Sequence, residues 1–248
     1  MKIFENLVVY TCSTNNYDNL TLLQSPVEGL RFIFFTNQLN KVPVGWEGRQ
    51  LRSPPRLTSG HDINRFHKIF PHHVLPEFRY SVYIDGNISF NGDFGELVEK
   101  LRAAKVALAA FSHPEQRKLK EEVSACERYN RFDWYDKKRA KLQYDFYGSE
   151  RLDLCQLITG NYLLVRDHMH PNFYHCMSIW WSHLFEYTKR DQMSLNYALW
   201  KSELPWAFLD EELGVDANLL SRHSRKKSFH IVRKLATQLF KVLRLNRN

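Results

Sequence analysis

The sequence predicts an α/β fold in which helices flank a largely parallel central sheet. Its short apolar runs lack polar alternation, which indicates strands that are covered on both faces. Segments with apolar residues at helical spacing lie between these runs, and such alternation of strands and helices favours parallel pairing. The 248 residues are 44% hydrophobic and 14% aromatic, which is sufficient for one domain with a sizeable core.

Five apolar runs are predicted to form the strands of this sheet. They span residues 7–12, 31–36, 80–85, 106–111 and 162–166. The segment before the first run, MKIFEN, carries one lysine and one glutamate. That composition indicates the approach to a first strand rather than a secretory signal peptide.

Three segments between the strands are predicted to be helices, namely residues 61–70, 93–104 and 172–187. Asp93 follows a glycine and is the predicted N-cap of the second helix. The third segment is rich in aromatic residues, which indicates a buried helix. Residues 113–150 are charged and tyrosine-rich without a strand signal, and we expect helices or a long loop over the sheet edge there.

The positive charge of the chain is concentrated at its end. The formal net charge is +8, from 35 basic and 27 acidic residues. Residues 222–248 hold nine of the basic residues and no acidic residue, so residues 1–221 keep 26 basic against 27 acidic groups. We therefore predict a near-neutral domain over residues 1–221 with a basic tail over residues 222–248, and no nucleic-acid binding by the body.

The tail fits one amphipathic helix. Its apolar residues share one face, whereas Arg233, Lys234, Lys241 and Arg244 fall on the other. Two interpretations stay open, namely a terminal helix docked on the domain and a helix that lies on an anionic membrane surface. The sequence has no apolar run of about 18 residues, so we expect no transmembrane helix. Because the N-terminus is a poor signal peptide, we expect a cytoplasmic protein, peripheral on the cytoplasmic membrane face if the tail binds lipid.

The stretch SVYIDGNISF ends an apolar run in three polar or small residues, Asp85, Gly86 and Asn87. In open α/β sheets, ligands bind beyond the carboxyl ends of strands, where Asp85 is predicted to lie. If strand geometry continues through Asn87, its side chain points the same way as that of Asp85. Both offer oxygen atoms, which Mg²⁺ and Mn²⁺ prefer. A plain turn is the alternative, because D-G-N is also good turn chemistry.

Seven stretches of the chain, taken in order, resemble the TOD/MUCI-type glycosyltransferase-like family. They are VVYTCSTNNYDNL, FIFFTN, NRFHKIFPHHVLPEFRYSVYIDGNI, SHPEQRKLKEEVSACERY, GNYLLVRDH, WWSHLFEYTKRDQMSLNYALW and RHSRKK. The resemblance covers most of the chain. It implies a GT-A-like fold and chemistry on a nucleotide-sugar.

Two shorter pieces resemble the retaining, glycogenin-type transferases. Gly160 and Asn161 open a stretch, GNYLL, that resembles the entry to their acceptor-side strand. Asp191 and Gln192, with the Leu-Asn pair that follows, resemble their D-Q-D-x-L-N motif. Met193 stands where that motif has its second aspartate, just as Asn87 replaces the second aspartate of a D-x-D metal motif.

The resemblance implies a donor site with a divalent metal, Mn²⁺ or Mg²⁺. The implied donor-binding residues are Thr11, Tyr17, Asp18, Arg65, Lys68, Asp85, Arg225 and Lys226. The implied metal ligands are Asp85, Asn87 and His223. Spacing alone leaves a solvated helix face open for Arg65 and Lys68, and a solvated basic linker open for RHSRKK.

The resemblance also implies an acceptor side and a catalytic group. The acceptor or sugar-binding residues are His113, Arg117, Gly160 and Asn161. The catalytic candidates are Asp191, Gln192, Glu121 and Glu122. Ordinary structural roles stay open beside these, namely a surface ion pair of Arg117 with Glu121 at helical spacing and a helix N-cap for Asp191.

The function expected from the sequence is transfer of a sugar from a UDP- or GDP-sugar to a hydroxyl of a polysaccharide or glycolipid. Surface-glycan assembly, such as that of capsule or lipopolysaccharide, is the expected setting. The resemblance at Asp191 and Gln192 slightly favours retention over inversion. Two rivals stay open. A lipid amidase or other hydrolase is one, although the sequence has no G-x-S-x-G or H-E-x-x-H. A non-catalytic glycan-binding module is the other.

Overall fold

A computed structural model describes residues 3–14, 24–52, 54–115, 117–129, 131–132 and 134–223. The strands are β1 (Leu7–Ser13), β2 (Arg31–Thr36), β3 (Glu47–Gln50), β4 (Tyr80–Ile84), β5 (Ile88–Phe90), β6 (Leu108–Ser112), β7 (Thr159–Asp167), β8 (Trp206–Phe208) and β9 (Leu220–Arg222). The helices are α1 (Gly60–Ile69), α2 (Pro71–Val74), α3 (Phe94–Ala103), α4 (Leu119–Arg128), α5 (Trp134–Ser149), α6 (Phe173–Glu186) and α7 (Leu195–Lys201). Short 3₁₀ turns cover Ile3–Asn6, Leu39–Lys41, Asp191–Met193 and Ala217–Leu219.

A seven-stranded sheet in the order β3-β2-β1-β4-β7-β6-β8 forms the centre of the molecule. Strand β1 pairs in parallel with β2 and β4, β2 pairs in parallel with β3, and β6 pairs in parallel with β8. Only β7 runs against its neighbours β4 and β6. Six of the seven strands of this sheet therefore share one direction, and the predicted α/β class with a mostly parallel sheet is confirmed.

The sheet is buried on both faces, as the lack of polar alternation predicts. Every residue of β1 is buried. Leu7 and Val9 pack into a cluster with α3, whereas Val8 and Tyr10 pack on the other face into a cluster with α6. Burial of each such side chain contributes roughly 1.5–3 kcal/mol, so both faces stabilise the sheet and fix the position of its edge.

The predicted strands correspond to β1, β2, β4, β6 and β7, and the predicted helices to α1, α3 and α6. The carboxylate of Asp93 accepts hydrogen bonds from the backbone N–H groups of Gly95 at 2.7 Å and Glu96 at 3.4 Å, so its N-cap role is confirmed. Residues 113–150 contain α4 and α5. The sequence missed β3, β5, β8 and β9, which are three or four residues long and owe their form to the strands that they pair with.

Among the described residues, no helix has the length and apolar composition needed to cross a membrane. The predicted amphipathic tail falls largely on residues 224–248, which lie outside the described residues. The division of the chain after residue 221 and the membrane contact of the tail therefore stay predictions.

Candidate functional site

One edge of the sheet gathers most of the residues that the sequence singles out. The carboxyl ends of β1, β4 and β6 meet there, and the amino end of β7 joins them because β7 is antiparallel. In the register, Ile84 pairs with Leu163 and Ser112 pairs with Thr159. The segments after β4 and β6 and the first residues of β7 therefore share an edge where ligands bind in open α/β sheets.

The D-G-N stretch is a β-turn in its backbone. Strand β4 ends at Ile84, and the backbone N–H of Ile88 donates to the Asp85 carbonyl oxygen at 2.9 Å. The Asp85 N–H donates to the Tyr162 carbonyl oxygen at 2.8 Å. Strand geometry does not continue through the turn, so the condition for aligning the side chains of Asp85 and Asn87 is not met. The turn holds Asp85 at the edge of the sheet.

The Asp85 carboxylate contacts a phenol and an ammonium group. Its Oδ1 accepts a hydrogen bond from the Tyr83 hydroxyl at 2.9 Å and lies 3.5 Å from Lys68 Nζ. Burial and the nearby Asp85 charge raise the pKa of Tyr83 well above its usual value, so Tyr83 is a neutral donor. About a quarter of the Asp85 side chain is exposed, against 2% for Lys68. Asp85 therefore remains accessible to a ligand.

Asp191 is the buried counterpart of Asp85. Its Oδ2 lies 2.9 Å from Lys68 Nζ, and its Oδ1 lies 3.2 Å from a terminal nitrogen of Arg65. Burial alone would raise the pKa of Asp191, but the positive charges of Arg65 and Lys68 outweigh it and hold this pKa well below its usual value. Asp191 is therefore an ionised carboxylate rather than a helix N-cap, since Ser194 occupies the N-cap position of α7.

Arg65 and Lys68 lie one turn apart on α1 and face the same site, as their spacing predicts. Their side chains are 17% and 2% exposed, which rules out a solvated helix face. Arg166 fixes this end of α1, because its Nη1 donates to the Lys68 carbonyl oxygen at 2.5 Å. Its Nη2 donates to the Tyr10 hydroxyl at 2.6 Å. A fully buried arginine thus positions the helix that carries the site cations.

A second charged cluster is centred on Glu122, which is fully buried. Its Oε2 accepts from Arg117 Nη1 at 2.6 Å, and its Oε1 accepts from Arg190 Nε at 2.8 Å. His113 Nε2 lies 3.6 Å from Oε2. Burial opposes ionisation, but Arg190 and Arg117 outweigh it and lower the pKa of Glu122. Because Arg190 precedes Asp191 in the chain, this cluster anchors the Asp191 turn to α4.

Glu121 has a different role from the one that its spacing predicts. Arg117 lies before α4 and pairs with Glu122 and Glu115, which excludes the alternative of a surface ion pair with Glu121. The Glu121 carboxylate accepts from the Lys118 backbone N–H at 2.8 Å. This bond caps the N-terminus of α4. Glu121 is exposed, and its described contact belongs to this cap.

Gly160 and Asn161 open β7 at the same edge. A Cβ atom at Gly160 would lie 2.9 Å from the Ser112 carbonyl oxygen and 2.5 Å from the Tyr162 ring, so close packing accounts for this glycine. The Asn161 Oδ1 accepts from the Thr159 hydroxyl at 2.7 Å. Packing therefore explains the glycine at position 160. Asn161, the next residue of β7, is buried at 2% exposure.

Besides the ion-paired Arg65 and Asp191, three of the predicted site residues carry a buried polar atom that has no hydrogen-bond partner within the described part of the chain. These atoms are Thr11 Oγ1, Asn161 Nδ2 and Gln192 Oε1. Buried polar groups are nearly always paired, so such atoms at a sheet edge indicate where a ligand or ordered water binds.

The implied metal ligands lie around the same turn. The His223 backbone N–H donates to the Asn87 carbonyl oxygen at 2.9 Å, and His223 Nε2 lies 2.8 Å from Ser89 Oγ.

The described contacts of the Asp85 carboxylate fall on Oδ1, so Oδ2 is the oxygen available to a cation. In the described ranges no three His, Cys, Asp or Glu side chains form a metal-binding group. The ligands that the resemblance implies would offer one carboxylate, one amide and one imidazole, a set that a divalent cation could share with oxygen atoms of a diphosphate.

Four implied donor residues, Tyr17, Asp18, Arg225 and Lys226, lie outside the described residues. The sequence reasoning did not single out Tyr83, Arg166 or Arg190. Tyr83 carried a usable signal, because it stands two residues before Asp85 on a strand. Arg166 also carried a usable signal, because it is a charged residue at the end of the apolar run of β7. Nothing local distinguished Arg190, since its partner Glu122 comes from a distant helix.

A mostly parallel sheet with a charged, accessible carboxyl edge defines an α/β domain of the class in which ligands generally bind at that edge. Residues 59–229 match the family model described as TOD1/MUCI70, glycosyltransferase-like domain. The chain belongs to this family, and the predicted membership is confirmed.

A curated relative is the "Probable hexosyltransferase MUCI70" of Arabidopsis thaliana, which is 26% identical over 139 residues. The match covers 52% of this chain and 23% of that protein, so the chain spans about a quarter of its length. Among solved structures, the apo form of mouse xyloside xylosyltransferase 1 aligns with a TM-score of 0.48 at 10% identity, over 82% of this chain and 84% of that one. The apo bifunctional glycosyltransferase WbbM aligns with a TM-score of 0.46 at 11% identity, over 82% and 38%.

Proposed function

We propose that this protein is a glycosyltransferase that moves a sugar from a nucleotide-sugar to a hydroxyl of a polysaccharide or glycolipid acceptor, with a divalent metal at Asp85. The observation that carries the proposal is Lys68, which lies between Asp85 and Asp191 at the carboxyl edge of the sheet. Membership of a glycosyltransferase-like family and a relative named as a hexosyltransferase support sugar transfer as the reaction.

The charges at this edge support a metal. Lys68 and Arg65 carry two positive charges, and Asp85 and Asp191 carry two negative charges, so the described group is balanced. A leaving nucleoside diphosphate adds further negative charge, which needs added cations for its stabilisation. A divalent ion held by Asp85, Asn87 and His223 would act as a Lewis acid on the diphosphate. The basic RHSRKK stretch, with Arg225 and Lys226, would add positive charge from the chain itself.

The protein residues then have separate tasks. Lys68 and Arg65 orient the diphosphate, and Tyr83 donates a hydrogen bond to Asp85. Asp191 holds both cations in position. Positioning by fixed charges costs little reorganisation during reaction, which is why such groups stabilise developing charge effectively.

The state of the carboxylates favours retention over inversion. An inverting reaction needs a carboxylate that removes the acceptor proton. Asp191 and Glu122 are buried, each contacts two cations, and their pKa values are lowered, so both are weak bases. Glu121 caps α4. NMR of the product measures the outcome, because an inverted anomeric configuration relative to the donor excludes retention.

A thermal-shift screen of UDP and GDP, each with and without Mn²⁺, tests the donor proposal. We expect a metal-dependent rise of the unfolding midpoint with one nucleotide, and loss of this rise in Asp85→Asn. The matched control is Asp93→Asn, which changes a helix cap away from the site. A response to glycans without any nucleotide response would instead identify a glycan-binding module, and release of a fatty acid from a lipid amide would identify a hydrolase.

The membrane contact is tested by removing most of the tail. The proposal places the enzyme on the cytoplasmic face of a membrane, held by the basic residues after residue 222, each of which contributes on the order of 1 kcal/mol at an anionic surface. Flotation of anionic liposomes with the full chain is compared with that of a chain ending at Lys227. Equal flotation of both chains excludes membrane binding by the tail.

A further inference from the structure

A pocket of about 240 Å³ lies at the opposite end of β4 from Asp85. Tyr80, the first residue of β4, lines it together with the end of α3 and residues 105–107, which connect α3 to β6. Tyr80 and Asp85 are separated by roughly 16 Å along the strand direction. The pocket is therefore separate from the candidate site and needs its own explanation.

The pocket is basic. Three cationic side chains line it, Arg79, Arg102 and Lys105, against one carboxylate, Asp167. Arg79 binds Asp167 through two nitrogens, at 2.9 and 3.1 Å, and its guanidinium lies 5.0 Å from the centre of the Tyr80 ring. Asp167 therefore balances Arg79 and fixes it in place. Arg102 and Lys105 supply a formal excess of two positive charges.

Among the described residues, the side chain of Arg102 has one partner, and this contact is weak. Its Nη1 lies 3.5 Å from the Glu99 carboxylate, and both side chains are more than half exposed. Exposed pairs of this kind contribute little to stability, so Arg102 can turn to a bound anion at small cost.

Lys105 occupies a backbone position that is unfavourable for any side chain. It follows α3 with φ +56°, in the left-handed region. Its N–H donates to the Arg102 carbonyl oxygen at 3.0 Å, and the Val106 N–H donates to the Leu101 carbonyl oxygen at 3.2 Å. These two bonds close the helix in the motif that usually has glycine at this position, because a Cβ there is strained. Lys105 therefore keeps a side chain where glycine is usual, and this side chain lines the pocket.

We propose that this pocket binds a phosphate group, free or as a phosphomonoester, through Arg102 and Lys105. A phosphomonoester carries up to two negative charges near neutral pH, which match the excess charge of the lining. Arg102 and Lys105 donate charge-assisted hydrogen bonds to its oxygens. Val106 and His170, which are partly exposed and also line the pocket, lie beside the bound group.

The test is a titration of the full chain with inorganic phosphate, followed by backbone amide NMR. We expect shifts concentrated at Arg79 and residues 101–107, and at least tenfold weaker binding at these residues in Lys105→Gly. The same substitution removes the left-handed strain, so it should raise the unfolding midpoint. Arg102→Gln, which leaves the backbone unchanged, should also weaken binding.

Glu203→Gly is the matched control. Glu203 follows α7 with φ +53° and closes the same hydrogen-bond pattern, with its N–H on the Trp200 carbonyl oxygen, but it does not line the pocket. The Glu203→Gly variant should have a raised unfolding midpoint, as Lys105→Gly should, but it should bind phosphate as tightly as the unchanged chain. Shifts confined to Asp85 and its neighbours or to the basic tail, or equal affinity in Lys105→Gly and the unchanged chain, would overturn the proposal.

Vesicle binding distinguishes two sources of the phosphate group, a lipid headgroup and a soluble phosphomonoester. Vesicles with phosphatidic acid are compared with vesicles of phosphatidylcholine alone, for the unchanged chain and for Lys105→Gly. Weaker binding of the variant to phosphatidic acid identifies a lipid headgroup as the ligand. Equal vesicle binding, together with lost binding of inorganic phosphate, identifies a soluble phosphomonoester, because the basic tail is the same in both chains.

Discussion

Lys68 and Asp191 form an ion pair of 2.9 Å in which the side chains are 2% and 4% exposed. Two charges in such a position are costly to bury and stabilise the fold only when both partners are present. Since the Lys68 ammonium also lies 3.5 Å from Asp85, one buried lysine couples the accessible carboxylate to the buried one. This arrangement fixes the geometry of the proposed donor site.

Lys68→Met should destabilise the protein and remove donor binding. The substitution leaves Asp191 with Arg65 as its described cationic partner. Loss of one member of a buried ion pair lowers the free energy of unfolding by about 3–5 kcal/mol. The free energy of unfolding from urea titration measures the first effect, and nucleotide-dependent thermal shifts measure the second.

The double variant Lys68→Met with Asp191→Asn is the matched control for stability. It removes both charges together, so it should recover part of the lost stability while donor binding remains absent. If the double variant is as unstable as the sum of the two single variants, Lys68 and Asp191 are not energetically coupled.

Asp85→Ala should reduce sugar transfer by roughly 100-fold or more, the scale expected when one group that stabilises developing charge is removed. Asp85 carries the negative charge of the D-G-N turn, so Asn87→Asp should retain transfer and lower the Mn²⁺ concentration needed for half-maximal rate. Steady-state rates over a Mn²⁺ series measure both. Full activity in Asp85→Ala would mean that the stretch is a turn and nothing more.

Glu122→Gln separates a structural role from a catalytic one. The amide keeps the shape but loses the charge that holds Arg117 and Arg190. We expect lower stability and a change in kcat of less than about tenfold, with an unchanged pH profile. Loss of a general base costs about 100- to 10,000-fold and removes one limb of the pH profile, so that result would assign the base to Glu122. Glu121→Gln, at the exposed cap, is the control.

Stability should fall as the pH drops from about 6.5 to about 4, in part because of His67. Its Nδ1 contacts the Ile63 carbonyl oxygen at 2.8 Å, and its Nε2 accepts from the Arg52 backbone N–H at 3.0 Å, which fixes the neutral ring. Burial lowers the pKa of His67 to about 4. The unfolded chain therefore binds more protons between these pH values, and stability rises with pH across that range and is complete above it.

Urea titrations at pH 7, 5 and 4 measure this dependence. The part due to His67 is at most roughly 3 kcal/mol, from the difference between the folded and unfolded pKa values. His67→Gln should flatten the profile over this range, whereas His175→Gln, at an exposed position on α6, should leave it unchanged. An unchanged slope in His67→Gln would show that other groups cause the acid sensitivity.

Local patterns predicted the elements that depend on their own residues. β1 and β2 are continuous apolar runs, and Asp93 caps α3 through its own side chain. Short strands such as β3, with the sequence EGRQ, could not be predicted, because their form comes from pairing with a neighbour. The ion pair of Arg117 with Glu122 could not be predicted for a related reason. It depends on where α4 begins and not on a spacing of four residues.

The sequence by itself determined the α/β class, the strand that leads to Asp85, and the family to which the chain belongs. These follow from periodicity and from ordered motifs, which are properties of the chain read locally. Only the tertiary structure decided that Lys68 lies between Asp85 and Asp191, and that Glu122 contacts Arg190. The physical reason is that ion pairs between distant residues depend on how α1, α4 and the Asp191 turn pack against the sheet, and no local pattern encodes that packing.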